Sequence, residues 1–188
     1  MREIHVVVLG ASGVGKSKAI LQYLNERLLS DGELPEMADS YRKQFVYQDQ
    51  VFLLDIIDTE GSDQYDAMRD GLYYTGQAFL MIYSITSKKS FLKLEYLRRQ
   101  LLRVKQVSHV PMVLVGNFCD CEEQRQVSQE EANTVAELWH CPFLEISART
   151  SSATLDIIME KLFFQIYPPS VEREELGSKT SRIRCIMM

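Results

Sequence analysis

The sequence predicts a doubly wound α/β domain with a six-stranded, mostly parallel sheet, one antiparallel edge hairpin and helices on both faces. Five short apolar runs are the first support, because strands buried on both faces look like this: IHVVVLG, VFLLDIID, AFLMIYSI, PMVLVGN and PFLEIS. Helical patterns between these runs are the second support for the prediction, because alternating strands and helices produce this architecture. The chain of 188 residues, 46% hydrophobic, is also large enough to bury a core as one domain.

Four helices are predicted from apolar periodicity. One runs from Lys16 to about Leu29. The second repeats apolar residues on one stripe: Phe91, Leu94, Leu97, Leu101 and Val104. The third extends from a capping box at Ser128 to Trp139, and the last lies in TSSATLDIIMEKLFFQIY.

The segment DSYRKQFVYQDQVFLLDIID interrupts this alternation. It contains two strands joined by a polar turn around Asp49, which predicts the antiparallel hairpin at a sheet edge. From Pro168 onward the chain becomes rich in proline, serine and charge. We therefore expect a domain at residues 1–167 and a flexible tail at residues 168–188.

Composition excludes several classes of protein. The net charge of −5 argues against a nucleic-acid-binding protein. No apolar run approaches the ~20 residues that span a bilayer, and the N-terminal residues lack a secretory signal pattern, so a cytosolic chain is expected. The four cysteines are interpreted as reduced thiols. A zinc site is disfavoured because the spacing is not that of a usual finger: Cys119, Cys121, His140 and Cys141.

The stretch GASGVGKS fits the phosphate-loop pattern G-x-x-x-x-G-K-[ST] between a predicted strand and a predicted helix. Glycines let backbone N–H groups surround phosphate oxygens at the positive end of a helix dipole. Lys16 can reach the β- and γ-phosphates, and the Ser17 hydroxyl can ligate Mg²⁺. A glycine-rich turn without a ligand is the alternative, disfavoured by that lysine and hydroxyl. The predicted phosphate-binding residues are Gly10, Ser12, Gly13, Val14, Gly15, Lys16 and Ser17.

Two further segments supply candidate ligands for the rest of a nucleotide. Asp58 ends a strand and is the expected acidic partner of Mg²⁺, while Gly61 can offer its N–H to a γ-phosphate. Without the phosphate loop, Asp58 would be interpreted as a cap or turn residue. Asn117 and Asp120 follow the fifth strand, and a carboxylate there can accept two hydrogen bonds from guanine. Ser147 and the backbone N–H of Ala148 follow the last strand at the same edge.

The motifs GASGVGKS, DTEG, NFCD, SAR and DSYRKQ resemble those of Ras-like small GTPases in order and spacing. The resemblance is closest to the Ras/Rap branch, covers nearly all of residues 4 to 167 and reaches the C-terminus. It implies a monomeric switch that binds GTP or GDP with Mg²⁺. It also implies two kinds of protein partner, exchange factors and effectors with Ras-binding-type domains.

The chain departs from the family pattern in the base loop and the first switch. N-K-x-D becomes Asn117-Phe118-Cys119-Asp120, so the lysine is missing, and the Phe118 ring either stacks on the purine or packs against the protein. Glu36 replaces the threonine that closes on Mg²⁺; a glutamate can ligate the metal but adds negative charge beside phosphate. The aromatic residue that covers the base from the first-switch region in the family is also absent, with Leu28 or Leu29 nearest.

The second switch differs at the residues expected to carry hydrolysis. D-T-A-G-Q becomes Asp58-Thr59-Glu60-Gly61-Ser62, and Ser62 is too short to orient the attacking water. Glu60 adds a carboxylate near developing negative charge. Ser12 stands where most relatives have glycine and obstructs an arginine supplied in trans, which is worth roughly 10³–10⁵ in rate. The predicted catalytic residues are Lys16, Glu60 and Ser62, and hydrolysis is expected to be slow.

The resemblance also predicts two contact regions. An effector surface is expected at Met37, Asp39, Ser40, Tyr41 and Arg42, with an altered set of effectors because a family glutamate is absent. An edge strand with solvated charges is the alternative.

The ending CIMM fits a prenylation box at Cys185, favouring farnesyl. The expected location is the cytoplasmic face of the plasma membrane or endomembranes, with a cytosolic pool. The basic segment KKSFLKLEYLRRQLLRVK either lies against anionic lipid or is a solvated helix face.

Two function hypotheses follow. The first is a membrane-anchored guanine-nucleotide switch with impaired hydrolysis. The second is a pseudo-GTPase, a protein-binding module that does not depend on nucleotide turnover. A P-loop ATPase or small kinase is disfavoured, because Asp120 selects guanine.

Overall fold

A computed structural model of the chain describes residues 2–25, 40–59, 66–147 and 153–168. The strands are β1 (Arg2–Leu9), β2 (Ser40–Tyr47), β3 (Gln50–Asp58), β4 (Ala78–Ser84), β5 (Met112–Asn117) and β6 (Phe143–Glu145). The helices are α1 (Lys16–Asn25), α2 (Asp66–Thr75), α3 (Lys88–Lys105), α4 (Gln129–Trp139) and α5 (Ala153–Ile166), with a short 3₁₀ turn at Glu122–Gln124. Within these ranges no helix is both long and apolar enough to cross a bilayer.

The six strands form one sheet in the order β2-β3-β1-β4-β5-β6. All neighbours are parallel except β2 and β3, which pair antiparallel from Ser40 opposite Ile57 to Tyr47 opposite Gln50. Gln48 and Asp49 join them with positive φ angles of 49° and 58°, as a primed two-residue hairpin turn requires. The predicted fold class, including the edge hairpin, is confirmed.

Side chains are buried on both faces of the sheet, so the core has two halves. One half packs β-strand residues against α1 and α5, and the other packs them against α2, α3 and α4. Every residue of β4 is buried, as expected for a central strand of a parallel sheet. β6 differs from the prediction of a doubly buried strand: it has only three residues, all partly exposed, because it lies at the sheet edge.

The predicted helix boundaries are largely confirmed. Ser87 and Ser128 cap α3 and α4 by accepting from the N–H groups of Ser90 and Glu131. The Glu131 carboxylate pairs with Lys88 of α3. The structure adds α2, which apolar periodicity did not reveal because Gly71 interrupts a short segment. The predicted continuation of α1 to Leu29 lies outside the described residues.

Candidate nucleotide-binding site

The phosphate loop connects β1 to α1, and its glycines fill places where a side chain could not. A Cβ on Gly10 would lie 2.2 Å from the carbonyl oxygen of Ile82 in β4. A Cβ on Gly15 would lie 2.4 Å from the Asn117 side-chain nitrogen, and Gly15 also has a φ of +84°. Gly13 has a φ of +77° but open space around it, so its conformation alone requires glycine. The loop therefore packs tightly against β4 and the base loop.

Lys16 is folded over this loop. Its side chain is buried, and the Nζ atom donates to the backbone carbonyls of Gly10 at 3.2 Å and Ala11 at 3.0 Å. A buried ammonium is costly unless it is hydrogen-bonded or paired with negative charge. Lys16 thus places a desolvated cation at the start of α1, where the helix dipole also favours an anion.

Ser17 and Asp58 face each other beside Lys16, and the Ser17 hydroxyl donates to Oδ2 of Asp58. The other carboxylate oxygen, Oδ1, is buried and has no hydrogen-bond donor among the described residues. Burial raises the pKa of Asp58, while the Ser17 hydrogen bond and the Lys16 charge oppose that rise. Thr59 holds the end of β3 in place by donating to the carbonyl of Val8 at 2.6 Å.

These groups fit a magnesium ion. Mg²⁺ prefers oxygen ligands and keeps several waters, so one or two protein groups together with phosphates suffice. The Ser17 hydroxyl is a direct ligand of the right kind, and the orphan Oδ1 of Asp58 can accept a hydrogen bond from a metal-bound water. In the described part of the chain, no cluster of three histidine, cysteine or acidic residues could hold a metal by itself.

The base loop begins at Asn117, whose side chain is fully buried. Its Nδ2 donates to the carbonyl of Val14 at 2.8 Å, and its Oδ1 accepts from the N–H of Phe118 at 2.8 Å. The N–H of Cys119 donates to the carbonyl of Ile146 at 3.1 Å, which brings the loop beside the end of β6. Exposed Asp120 and buried Ser147 therefore lie at the edge of the sheet where the phosphate loop also lies.

Phe118 takes the position of the missing lysine and adopts a left-handed backbone conformation with a φ of 66°. Its ring atom Cζ lies 3.3 Å from the place where a Cβ on Gly15 would stand. The ring therefore lies beside the phosphate loop, and its stacking on a bound purine stays a prediction. A phenyl ring cannot donate to loop carbonyls as a lysine can.

A cleft of about 660 Å³ opens next to the phosphate loop. The cleft is lined by the loop from Ala11 to Val14, including Ser12, and by the start of α3 with Lys89 and Lys93. Phe118 also lines it. Ser12 therefore lines an open cleft, and its obstruction of a group approaching from outside stays a prediction.

An ion-pair clamp holds the base loop, and sequence inspection did not reveal it. Arg125 makes two hydrogen bonds to the Glu145 carboxylate, at 2.7 and 2.9 Å, and two to Glu122, at 2.8 and 2.6 Å. The side chains of Arg125 and Glu145 are only 14% and 10% exposed. The clamp joins the segment after Asp120 to β6 just before Ser147. The sequence offered only one signal, an arginine three residues after Glu122, and it does not indicate the partner Glu145.

The predicted effector residues Ser40, Tyr41 and Arg42 lie on β2 at the edge of the sheet. Arg42 is 66% exposed and lies 3.8 Å from a carboxylate oxygen of Asp55 and 3.6 Å from one of Glu3. The other predicted site residues lie outside the described part of the chain: Glu36, Met37, Asp39, Glu60, Gly61, Ser62, Ala148 and Cys185.

Comparison with known families agrees with this geometry. The model of the Ras family matches residues 5–167, a range that contains the phosphate loop, the acidic residue Asp58 and the base loop. The match covers most of the chain and agrees with the six-stranded sheet, in which one pair of neighbouring strands is antiparallel. The chain belongs to the Ras family of small GTPases.

Proposed function

We propose that the protein is a membrane-anchored guanine-nucleotide switch of the Ras/Rap type, and that it hydrolyses GTP slowly. The observation that carries the nucleotide-binding part of this proposal is the arrangement of Lys16, Ser17 and Asp58 beside a loop braced by Asn117. A buried cation, a hydroxyl and a carboxylate with an orphan oxygen together suit a polyphosphate and a divalent cation.

The phosphate side of the site follows from these contacts. Lys16 binds the β- and γ-phosphates, and the loop N–H groups surround them at the start of α1. Ser17 and Asp58 hold Mg²⁺, with Glu36 as a third candidate ligand. When bound, the metal neutralises charge on the phosphate oxygens. The Gly61 N–H contacts the γ-phosphate.

The base side selects guanine. The Asp120 carboxylate accepts from two guanine donors that adenine lacks, and Ser147 with the Ala148 N–H completes the edge. The Arg125–Glu145 clamp supports this assignment, because it fixes the loop that carries Asp120 against the strand that precedes Ser147. A preorganised loop loses less entropy when the base binds.

Slow hydrolysis is proposed from three residues. Ser62 lacks the length of the family glutamine, and Glu60 places negative charge near the reacting phosphate. Ser12 lines the open cleft beside the phosphate loop, where it obstructs an arginine from an activating protein. Such an arginine is worth roughly 10³–10⁵ in rate, so activating proteins are expected to accelerate this chain little.

Signalling and location are proposed from the edge strand and the C-terminal motif. Ser40, Tyr41 and Arg42, together with Met37 and Asp39, form the surface for effectors with Ras-binding-type domains. A prenyl group on Cys185 anchors the monomer reversibly to the cytoplasmic face of the plasma membrane or endomembranes, with a cytosolic pool.

A pseudo-GTPase is the second candidate, and Phe118 is the observation that favours it. The ring packs on Gly15 where the family lysine would brace the loop, which weakens nucleotide retention. Glu36, Glu60 and Ser62 point in the same direction. In this case the edge strand would bind partners whether or not nucleotide is present.

Competition binding tests the proposal. Full-length protein in Mg²⁺ is loaded with labelled GTP, and excess GTP, GDP or ATP is added. The switch predicts that GTP and GDP compete, that ATP does not, and that Lys16→Ala abolishes binding. Competition by ATP would indicate a P-loop ATPase. A protein that stays empty after loading would contradict the switch and leave the pseudo-GTPase.

A further inference from the structure

Helix α3 concentrates positive charge on an acidic protein. Its 18 residues carry seven basic side chains and one acidic one, Glu95, although the whole chain has a net charge of −5. Segregation of this kind produces a local potential opposite in sign to that of the rest of the molecule. The helix therefore provides a surface for an anionic partner.

Three of the seven basic residues contact neighbouring elements of the protein. Lys88 pairs with Glu131 of α4, Arg98 lies 5.2 Å from the ring centroid of Trp139, and Lys105 donates to the carbonyl of Tyr74 at 3.0 Å. They tie α3 to its neighbours. The other four basic residues lie on the opposite side of the helix, where Arg99 also forms an exposed pair with Glu95 at 2.8 Å.

That side is a single stripe, which we call the α3 stripe: Lys89, Leu92, Lys93, Tyr96, Arg99 and Arg103. At 100° per residue these six positions fall within about 120° of the helix circumference. They lie opposite the buried residues Phe91, Leu94, Leu97 and Leu101. The stripe extends over 15 residues, roughly 20 Å of helix.

The α3 stripe is not only basic. Leu92 is 62% exposed and Tyr96 is 46% exposed, one helical turn apart and surrounded by the four basic residues. A solvated charged face has no need of an exposed leucine and tyrosine in its centre. Apolar and aromatic side chains bordered by Lys and Arg are the composition of helices that lie in a lipid headgroup layer.

We propose that the α3 stripe is a docking surface for an anionic phospholipid membrane. The basic residues attract the headgroups, while Leu92 and Tyr96 enter the boundary between headgroups and acyl chains. The biological setting rests on the proposed membrane anchor, because a single prenyl chain binds only reversibly and a second, electrostatic contact prolongs residence. Contact through α3 would also fix how the domain is oriented on the membrane.

Vesicle binding tests this surface without any lipid on the protein. Unprenylated full-length protein is sedimented with phosphatidylcholine vesicles, with or without about 30% phosphatidylserine. Binding is expected only with phosphatidylserine, and it is expected to weaken when NaCl rises from about 50 mM to about 500 mM. Equal binding to both vesicle types, or to neither, would overturn the proposal.

Variants locate the contact. Arg99→Gln/Arg103→Gln should weaken binding roughly 20-fold, since each basic residue near an anionic surface contributes about one factor of five. Leu92→Ser/Tyr96→Ser should also weaken it. The matched control Arg2→Gln/Lys161→Gln removes the same charge from exposed positions elsewhere and should change binding less than twofold. Equal loss in the control would assign binding to net charge and overturn the proposal.

Depth of contact is measured separately. Tyr96→Trp fluorescence should be quenched by brominated lipid, whereas the fluorescence of Leu138→Trp, at an exposed position on α4, should not.

The stripe would instead be an interface between copies of the chain if the protein failed to bind vesicles and formed a concentration-dependent dimer that Arg99→Gln/Arg103→Gln dissociates. None of these outcomes depends on nucleotide or on Cys185, so failure of the switch proposal is detected separately by nucleotide analysis of the same sample.

Discussion

The side-chain amide of Asn117 donates a hydrogen bond of 2.8 Å to the backbone carbonyl of Val14, across 103 positions of sequence. This bond joins the base loop to the phosphate loop. Because Asn117 is fully buried and its Oδ1 also accepts from the N–H of Phe118, one side chain braces both loops.

Asn117→Ala should therefore disturb both loops. It leaves the Val14 carbonyl and the Phe118 N–H without their partner, at a cost of about 1–3 kcal/mol in the free energy of unfolding. GDP dissociation, followed with a fluorescent analogue, should accelerate at least about tenfold, since 1.4 kcal/mol corresponds to a factor of ten. An unchanged dissociation rate would show that the brace has no part in binding.

Replacing Phe118 with the family residue should improve retention. In Phe118→Lys, an ammonium can donate to the phosphate loop, so GDP dissociation should slow by roughly tenfold, equivalent to one charge-assisted hydrogen bond. Phe118→Leu is the control, because it keeps an apolar contact near Gly15 without a donor. Faster dissociation from Phe118→Lys than from wild type would mean that the ring stacks on the purine when nucleotide is bound.

Asp58→Asn should separate stability from function. Burial raises the pKa of Asp58, so ionising this carboxyl costs more in the folded chain than in the unfolded chain. That penalty is present above the folded-state pKa and is lost as pH falls from there toward the ordinary value. The nucleotide-free, metal-free variant should thus melt higher than wild type at pH 7, with the gap narrowing in acid. EDTA should accelerate nucleotide release from wild type but not from Asp58→Asn. A lower melting temperature at pH 7 would contradict this account.

The Arg125–Glu145 clamp should contribute more to stability than an exposed ion pair. Arg125→Met leaves the shielded Glu145 carboxylate without its partner, and we expect a loss of about 2–3 kcal/mol in urea unfolding. Arg99→Gln breaks a pair with Glu95 in which the arginine side chain is 72% exposed. This variant should cost less than about 1 kcal/mol in the free energy of unfolding. Equal losses would mean that the clamp is energetically an ordinary surface pair.

Cys141 should make stability fall at alkaline pH. Burial raises the pKa of its thiol to about 11, above the ordinary value of 9.0. Between these values the unfolded chain loses a proton that the native chain keeps, so the free energy of unfolding decreases as pH rises. From pH 8 to pH 10, wild type should lose about 1 kcal/mol more than Cys141→Ala. Parallel profiles for the two proteins would contradict this.

Local patterns were sufficient to predict most of the fold. Buried strands such as β4 and the apolar stripe of α3 are visible as continuous or periodic hydrophobicity, and the hairpin around Asp49 as an interruption of it. The limited burial of β6 was not predictable, because it follows from the strand order of the whole sheet. α2 was missed since a short helix containing Gly71 lacks a strong period.

The contacts of the candidate site were also only partly predictable from the sequence. Lys16 and Ser17 stand in one motif, and Asp58 ends a strand at the same edge of the sheet, so their proximity could be predicted. The Asn117 brace and the Arg125 clamp depend on which partner each side chain reaches, and no spacing rule predicts that carbonyl or carboxylate. The position of the Phe118 ring beside Gly15 also depends on tertiary packing, so the sequence alone does not predict it.

The nucleotide that the protein carries tests the central claim most directly. The full chain is purified in Mg²⁺ without added nucleotide and denatured, and the released nucleotide is identified by chromatography. A slow-hydrolysing switch predicts that GTP makes up most of the bound nucleotide. Close to one equivalent of GDP would show that hydrolysis survives without a glutamine at Ser62, and would contradict the account.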